Sequence, residues 1–77
     1  MWNIRFLSSA RGELYTVPRG IAAVVTDALE RLRLEPIPSN SVPIPDIENA
    51  YQIDVAGYTI EYELLEQDQI ILILAVR

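Results

Sequence analysis

Three carboxylates are the residues here most able to do chemistry: Asp54, Glu61 and Glu63. Paired carboxylates can hold a divalent cation or divide acid–base work between them. They sit in two runs of alternating character. Tyr51, Ile53 and Val55 alternate with Gln52 and Asp54, and Tyr58, Ile60, Tyr62 and Leu64 alternate with Thr59, Glu61 and Glu63. A period of two places apolar residues on one face of a strand and polar residues on the other. The polar face of this pair therefore carries Gln52, Asp54, Thr59, Glu61 and Glu63, with no cation among them. Neither histidine nor cysteine is present to complete a transition-metal site. The carboxylates thus read better as a solvated strand face, and no metal or other cofactor is expected.

The remaining inventory excludes most catalytic constellations. All six cations are arginines, against 11 acidic residues, for a net charge of −5. Imidazole acid–base chemistry and Cys, His or Lys nucleophiles are absent. An acidic balance also argues against a nucleic-acid partner, since backbone affinity comes from clustered cations. Tyr51, Tyr58 and Tyr62 could stack on bases, but parity places them with Ile53 and Ile60 in a core. Arg31 and Arg33 could touch phosphate, yet Asp27, Glu30 and Glu35 surround them and favour a solvated helix face. Arg77 reads equally well as a functional arginine and as a charged terminus.

The elements that must position these residues follow from periodicity. Trp2, Ile4 and Phe6 alternate with Asn3, Arg5 and Leu7, which predicts a first strand with Trp2 inward. Ser8 and Ser9 could cap a short helix whose inner face is Ala10, Leu14 and Val17. Pro18 predicts a break near Thr16–Val17. Ile21, Val24, Val25, Ala28, Leu29 and Leu32 fall on one stripe of a second helix, ending near Leu34 or Glu35 before Pro36. Asp27 and Arg31 are spaced for an ion pair worth about 0.3 kcal/mol. Pro36, Pro38, Pro43 and Pro45 mark an extended connector, with Ile37, Val42, Ile44 and Ile47 expected to pack on the body. Ala56-Gly57 is a tight hairpin turn and Glu66-Gln67-Asp68 a looser one. Ile70 to Val76 is apolar on both faces, as in a strand interior to a sheet.

Together these give a single domain over residues 1–77, of α+β class and order β-α-α-β-β-β. Two N-terminal helices are expected on one face of a four-stranded, mainly antiparallel sheet. A chain of this length buries only about 60% of its unfolded surface, so some apolar surface remains for a partner. No apolar run reaches the roughly 18 residues of a membrane span. The start Met1-Trp2-Asn3-Ile4-Arg5 lacks a signal-peptide layout, and a cytoplasmic location is expected.

The order and residues resemble the RelE/ParE superfamily of toxins from type II toxin–antitoxin modules. The resemblance covers nearly the whole chain. Trp2-Asn-Ile-Arg-Phe6, Ser9-Ala10 and Glu13-Leu14 look like that family's opening strand and first helix, and Leu29, Leu32 and Glu35-Pro36 like the end of its second. Tyr51-Gln-Ile, Gly57-Tyr58-Thr-Ile-Glu-Tyr62 and Ile71 to Arg77 look like its terminal hairpins. The family's ribonuclease branch cuts messenger RNA on the ribosome, with lysines and arginines on the exposed strand face. By position, those basic residues fall on Gln52, Asp54 and Thr59, and only Arg77 keeps the family's residue type. A carboxylate about 4 Å from a phosphate repels it by ~1 kcal/mol per unit charge in water.

The resemblance therefore implies a degenerate active site: a toxin-family domain acting through protein binding, with an antitoxin-like partner. The acidic face calls for a Lys- or Arg-bearing segment in that partner. Two alternatives stand beside it. One is a ribosome-dependent messenger RNA endoribonuclease using Arg77 with Arg19 or Arg31. The other is a stand-alone homo-oligomer, such as a homodimer, that buries its sheet edge or helix face.

Overall fold

The computed structural model describes every residue from Met1 to Arg77. The chain runs β1 (Asn3–Phe6), α1 (Ser8–Tyr15), α2 (Arg19–Leu32), β2 (Val42–Pro43), β3 (Ala50–Val55), β4 (Tyr58–Leu65) and β5 (Ile70–Val76). The sheet order is β1-β5-β4-β3-β2. Only β1 and β5 pair in parallel; the other pairings are antiparallel. The α+β class is as expected, with one strand more than expected. That strand, β2, is two residues of the proline-spaced connector, where Val42 faces Gln52 and Pro43 faces Tyr51. Proline donates no ladder hydrogen bond, which suits it to a sheet edge.

Helix α2 forms as its apolar spacing dictates, and Val25, Leu29 and Leu32 are buried against the sheet. Full burial of one such side chain contributes about 1.5–3 kcal/mol. The facing sheet residues are Ile53, Ile60, Tyr62, Leu64, Ile71, Ile73 and Val76. Trp2, Tyr51 and Tyr58 pack against this cluster half-buried, so all three tyrosines of the hairpin serve the core. Tyr51 and Tyr62 lie with ring centroids 6.0 Å apart.

Several local expectations are corrected. Val24 sits on the predicted stripe but is 49% exposed, because only the middle of that stripe meets the sheet. Neither serine caps α1; Leu7 is its N-cap residue, without a side-chain hydrogen bond. Pro18 is the N-cap of α2, and the helix ends at Leu32, short of Leu34. Ile37, Val42 and Ile47 in the connector are exposed, and only Ile44 of the expected four is half-buried. The Asp27–Arg31 pair does not form. The sole ion pair is Arg33–Glu30 at 3.1 Å.

Arg33 does more than face solvent. Its Nε donates to the Trp2 carbonyl at 3.0 Å, while the Trp2 N–H donates to the Arg33 carbonyl at 3.2 Å. One residue at the end of α2 thus bonds the start of β1 as a neighbouring strand would. The connector is tied down from the core: the buried Tyr62 hydroxyl donates to the Pro36 carbonyl at 2.7 Å.

Strand β5 carries one extra residue. Tyr62 faces Ile73, but Glu61 faces Ala75, so Leu74 has no partner on β4. A bulge of this kind reverses which face the following residues take. After it, Val76 enters the core, and Arg77 exchanges backbone hydrogen bonds with Thr59 at 2.7 and 2.9 Å. Strand β5 is interior, as its apolar character predicts, while β4 is the middle strand.

Candidate functional site

The face of the sheet away from the helices carries Gln52, Asp54, Thr59, Glu61 and Glu63. The β3–β4 register sets Gln52 opposite Glu61 and Asp54 opposite Thr59. Directly opposed side chains in an antiparallel pair share a face. The pairing is direct at one point: the Thr59 hydroxyl donates to Asp54 Oδ1 at 2.9 Å. Glu63 lies opposite Ala50 on one side and Leu72 on the other. Asp54 is exposed, while Gln52, Thr59, Glu61 and Glu63 are half-buried.

Neighbouring strands bring arginine to this face, which the hairpin alone lacks. Arg77 pairs with Thr59 and so stands in one row with Thr59 and Asp54. Arg5 pairs with Leu72, which in turn faces Glu63. Neither arginine makes a salt bridge. Arg19 and Arg31 belong to α2, whose buried stripe packs on the opposite face. The sheet therefore separates them from Arg77, and the arrangement does not gather the arginines that a cleavage site built on them would need.

The carboxylates do not converge. No group of three acidic side chains is placed to hold a metal ion. Beside them on β5 run Ile70, Leu72 and Leu74, half-buried on the face that no helix covers. The open face is thus an acidic strip next to an apolar one. It is suited to binding a cationic, partly apolar segment, and it offers no evident proton donor poised against a base.

The terminal part of this face is held by a residue that periodicity did not mark as functional. Glu13 on α1 reaches the end of β5, where its Oε1 accepts the Val76 N–H at 2.8 Å. Strand β1 ends at Phe6, which pairs with Ile73, so no β1 carbonyl is available for Val76. The Glu13 carboxylate takes that place. Its one signal in the sequence is the Glu13-Leu14 pair, which resembles part of the family's first helix.

A second depression lies on the helix side, between α2, the connector and β3. It has a volume of about 430 Å³ and is lined by Val24, Ala28, Leu32, Ile53 and Val55, with Asp27, Arg31 and Glu35 at its margin. No helix is long and apolar enough to cross a membrane.

The sequence matches no protein-family model and no curated protein. Solved structures do resemble it. A chain of the intact E. coli RelBE toxin–antitoxin complex superposes with a TM-score of 0.87 at 16% identity, covering 99% of this chain and 94% of that one. The RelBE2 toxin–antitoxin complex from Mycobacterium tuberculosis gives 0.82 at 26% identity, over 97% and 94%. The archaeal RelE–RelB complex from Pyrococcus horikoshii gives 0.81 at 16% identity, over 99% and 92%. The chain has the RelE-like toxin fold.

Proposed function

We propose that this chain is a toxin-family component of a toxin–antitoxin module that works by binding a partner protein and does not cleave messenger RNA. The observation that carries the proposal is the sign of the open face: Asp54, Glu61 and Glu63 stand on a RelE-like scaffold with no cation paired to them. Cationic groups there would be needed to hold phosphate and to offset charge in a cleavage transition state. The partner is an antitoxin-like protein, as in the complexes whose structures this chain resembles. Its Lys- or Arg-bearing segment lies over the acidic and apolar strips, folding as it binds. The setting is cytoplasmic.

Co-expression with the adjacent open reading frame in a bacterial host tests this. Copurification of a small partner, with growth of the host unaffected by the pair, is the expected result. No partner and no growth effect would overturn it.

One observation favours a second reading. Arg77 stands on the open face in the row of Thr59 and Asp54, so an endoribonuclease centred on it has one cation in place. Primer extension on messenger RNA from an in vitro translation reaction separates the two. Cleavage that disappears with Arg77→Ala would establish the enzyme.

A further inference from the structure

The arginines are distributed unevenly over this acidic protein. Two of the six, Arg5 and Arg33, line the outer edge of β1, and a third, Arg11 of α1, stands on its helix side. Arg5 lies on the strand, Arg11 stands over the Phe6 ring at 5.8 Å, and Arg33 clasps Trp2. A depression of about 390 Å³ runs along this edge, lined by Asn3, Ile4, Arg5, Glu30 and Arg33. Its single carboxylate, Glu30, is already neutralised by Arg33.

The same edge has free backbone groups. Strand β1 is the last strand of the sheet on this side. In a parallel ladder alternate residues bond the partner strand. Asn3 and Leu7 donate to β5 and its preceding turn, through Gln69 and Ile73. Ile4 and Phe6 therefore direct their N–H and C=O groups outward. Trp2, of the same parity, does so too, and there Arg33 completes the bonding. Nothing completes it at Ile4 or Phe6.

We propose that the outer edge of β1 binds an extended acidic peptide, which adds a strand at Ile4 and Phe6 and sets its carboxylates against Arg5. Backbone pairing supplies affinity and Arg5 supplies register and sign. The free main-chain groups favour a peptide over a nucleic acid, which has no complementary ladder to offer. Unpaired strand edges otherwise invite indiscriminate pairing. Arg5 restricts this edge to acidic strands, and Arg33 blocks its first position. This site borders the open face, on which Arg5 lies, and does not depend on the toxin–antitoxin reading.

The test is an NMR titration of the intact chain with a short synthetic peptide of alternating valine and glutamate. The expected result is amide shifts and slowed hydrogen exchange at Ile4 and Phe6. Arg5→Glu weakens binding about fivefold, in keeping with a rim charge pair. Ile4→Pro removes a free N–H that the fold does not use and abolishes the shifts at Phe6. Arg5→Glu keeps the test decisive if the proline variant does not fold. Equal binding of a control peptide of alternating valine and lysine, shifts only with a polyuridine oligonucleotide, or no shifts at Ile4 and Phe6 would each overturn the proposal.

Discussion

The Glu13 carboxylate accepts the backbone N–H of Val76 at 2.8 Å, joining residues 63 apart in the sequence. It occupies the place left where β1 stops and β5 continues. Val76 immediately precedes Arg77, so this bond and the Thr59 pair together fix the terminal residue on the open face.

Replacing Glu13 with alanine leaves a partly buried N–H without its acceptor. The expected loss is about 1–3 kcal/mol in urea unfolding, as for an unsatisfied buried donor. Glu13→Gln keeps an acceptor and should lose less than half as much. Hydrogen exchange at the Val76 amide should quicken in the alanine variant and stay slow in the glutamine variant.

Tyr62 links stability to alkaline pH. Burial pushes its hydroxyl from 10.0 up to about 12, an effect that the nearby Ser41 side chain partly offsets and the neighbouring Tyr51 reinforces. The folded state thus holds this proton after the unfolded chain has released it. Stability from Tyr62 is complete below pH ~10 and falls as pH rises through about 12, by roughly 2–3 kcal/mol in all. Tyr62→Phe should remove that slope. At neutral pH it should also cost about 1 kcal/mol, because the Pro36 carbonyl loses its donor. Denaturation curves across the alkaline range check both.

The β3–β4 turn places Ala56 at φ 52° and Gly57 at φ 85°. Both central residues of such a turn need positive φ, where alanine is strained. Ala56→Asn should stabilise the protein by about 0.5–1 kcal/mol, for a rise in Tm of several degrees. Gly57→Ala should destabilise it by about 1 kcal/mol through backbone strain alone, since a Cβ there meets no atom within 4 Å. Thermal melts of the two variants should move in opposite directions.

The open face should act on association rate more than on residence time. Reversing Glu61 and Glu63 together to arginine should slow association with a cationic partner about tenfold at low ionic strength. The difference should shrink as salt rises. Stopped-flow mixing at several salt concentrations measures it. A rate that ignores both the substitutions and the salt would show that the partner docks elsewhere.

The parts legible in the sequence were those with a clean period. Tyr51 to Val55 and Tyr58 to Leu64 each alternate cleanly, and the two strands pair in the register that puts Gln52, Asp54, Thr59, Glu61 and Glu63 on one face. Helix α2 shows its buried stripe for the same reason, though the stripe is wider than the sheet beneath it, which leaves Val24 in solvent. Strand β2 was missed because two residues among prolines have no period. The bonding role of Arg33 depends on where α2 ends relative to β1, which no local pattern encodes. The extra residue in β5 was equally hidden. Ile70 to Val76 is apolar at every position, so nothing in its composition distinguishes one side from the other.

That extra residue has a consequence for the gene as well as for the protein. Losing the single codon for Leu74 would leave the strand as greasy and nearly as long as before. It would also remove the bulge and leave Ala75 opposite Glu61, Val76 opposite Ile60 and Arg77 opposite Thr59, so Val76 stays in the core and Arg77 on the open face. A loss of one residue here is absorbed without inversion, whereas a loss of two turns Val76 and Arg77 to the wrong faces. Natural variation at this point should therefore tolerate loss of the bulged residue alone and select against loss of its neighbour with it.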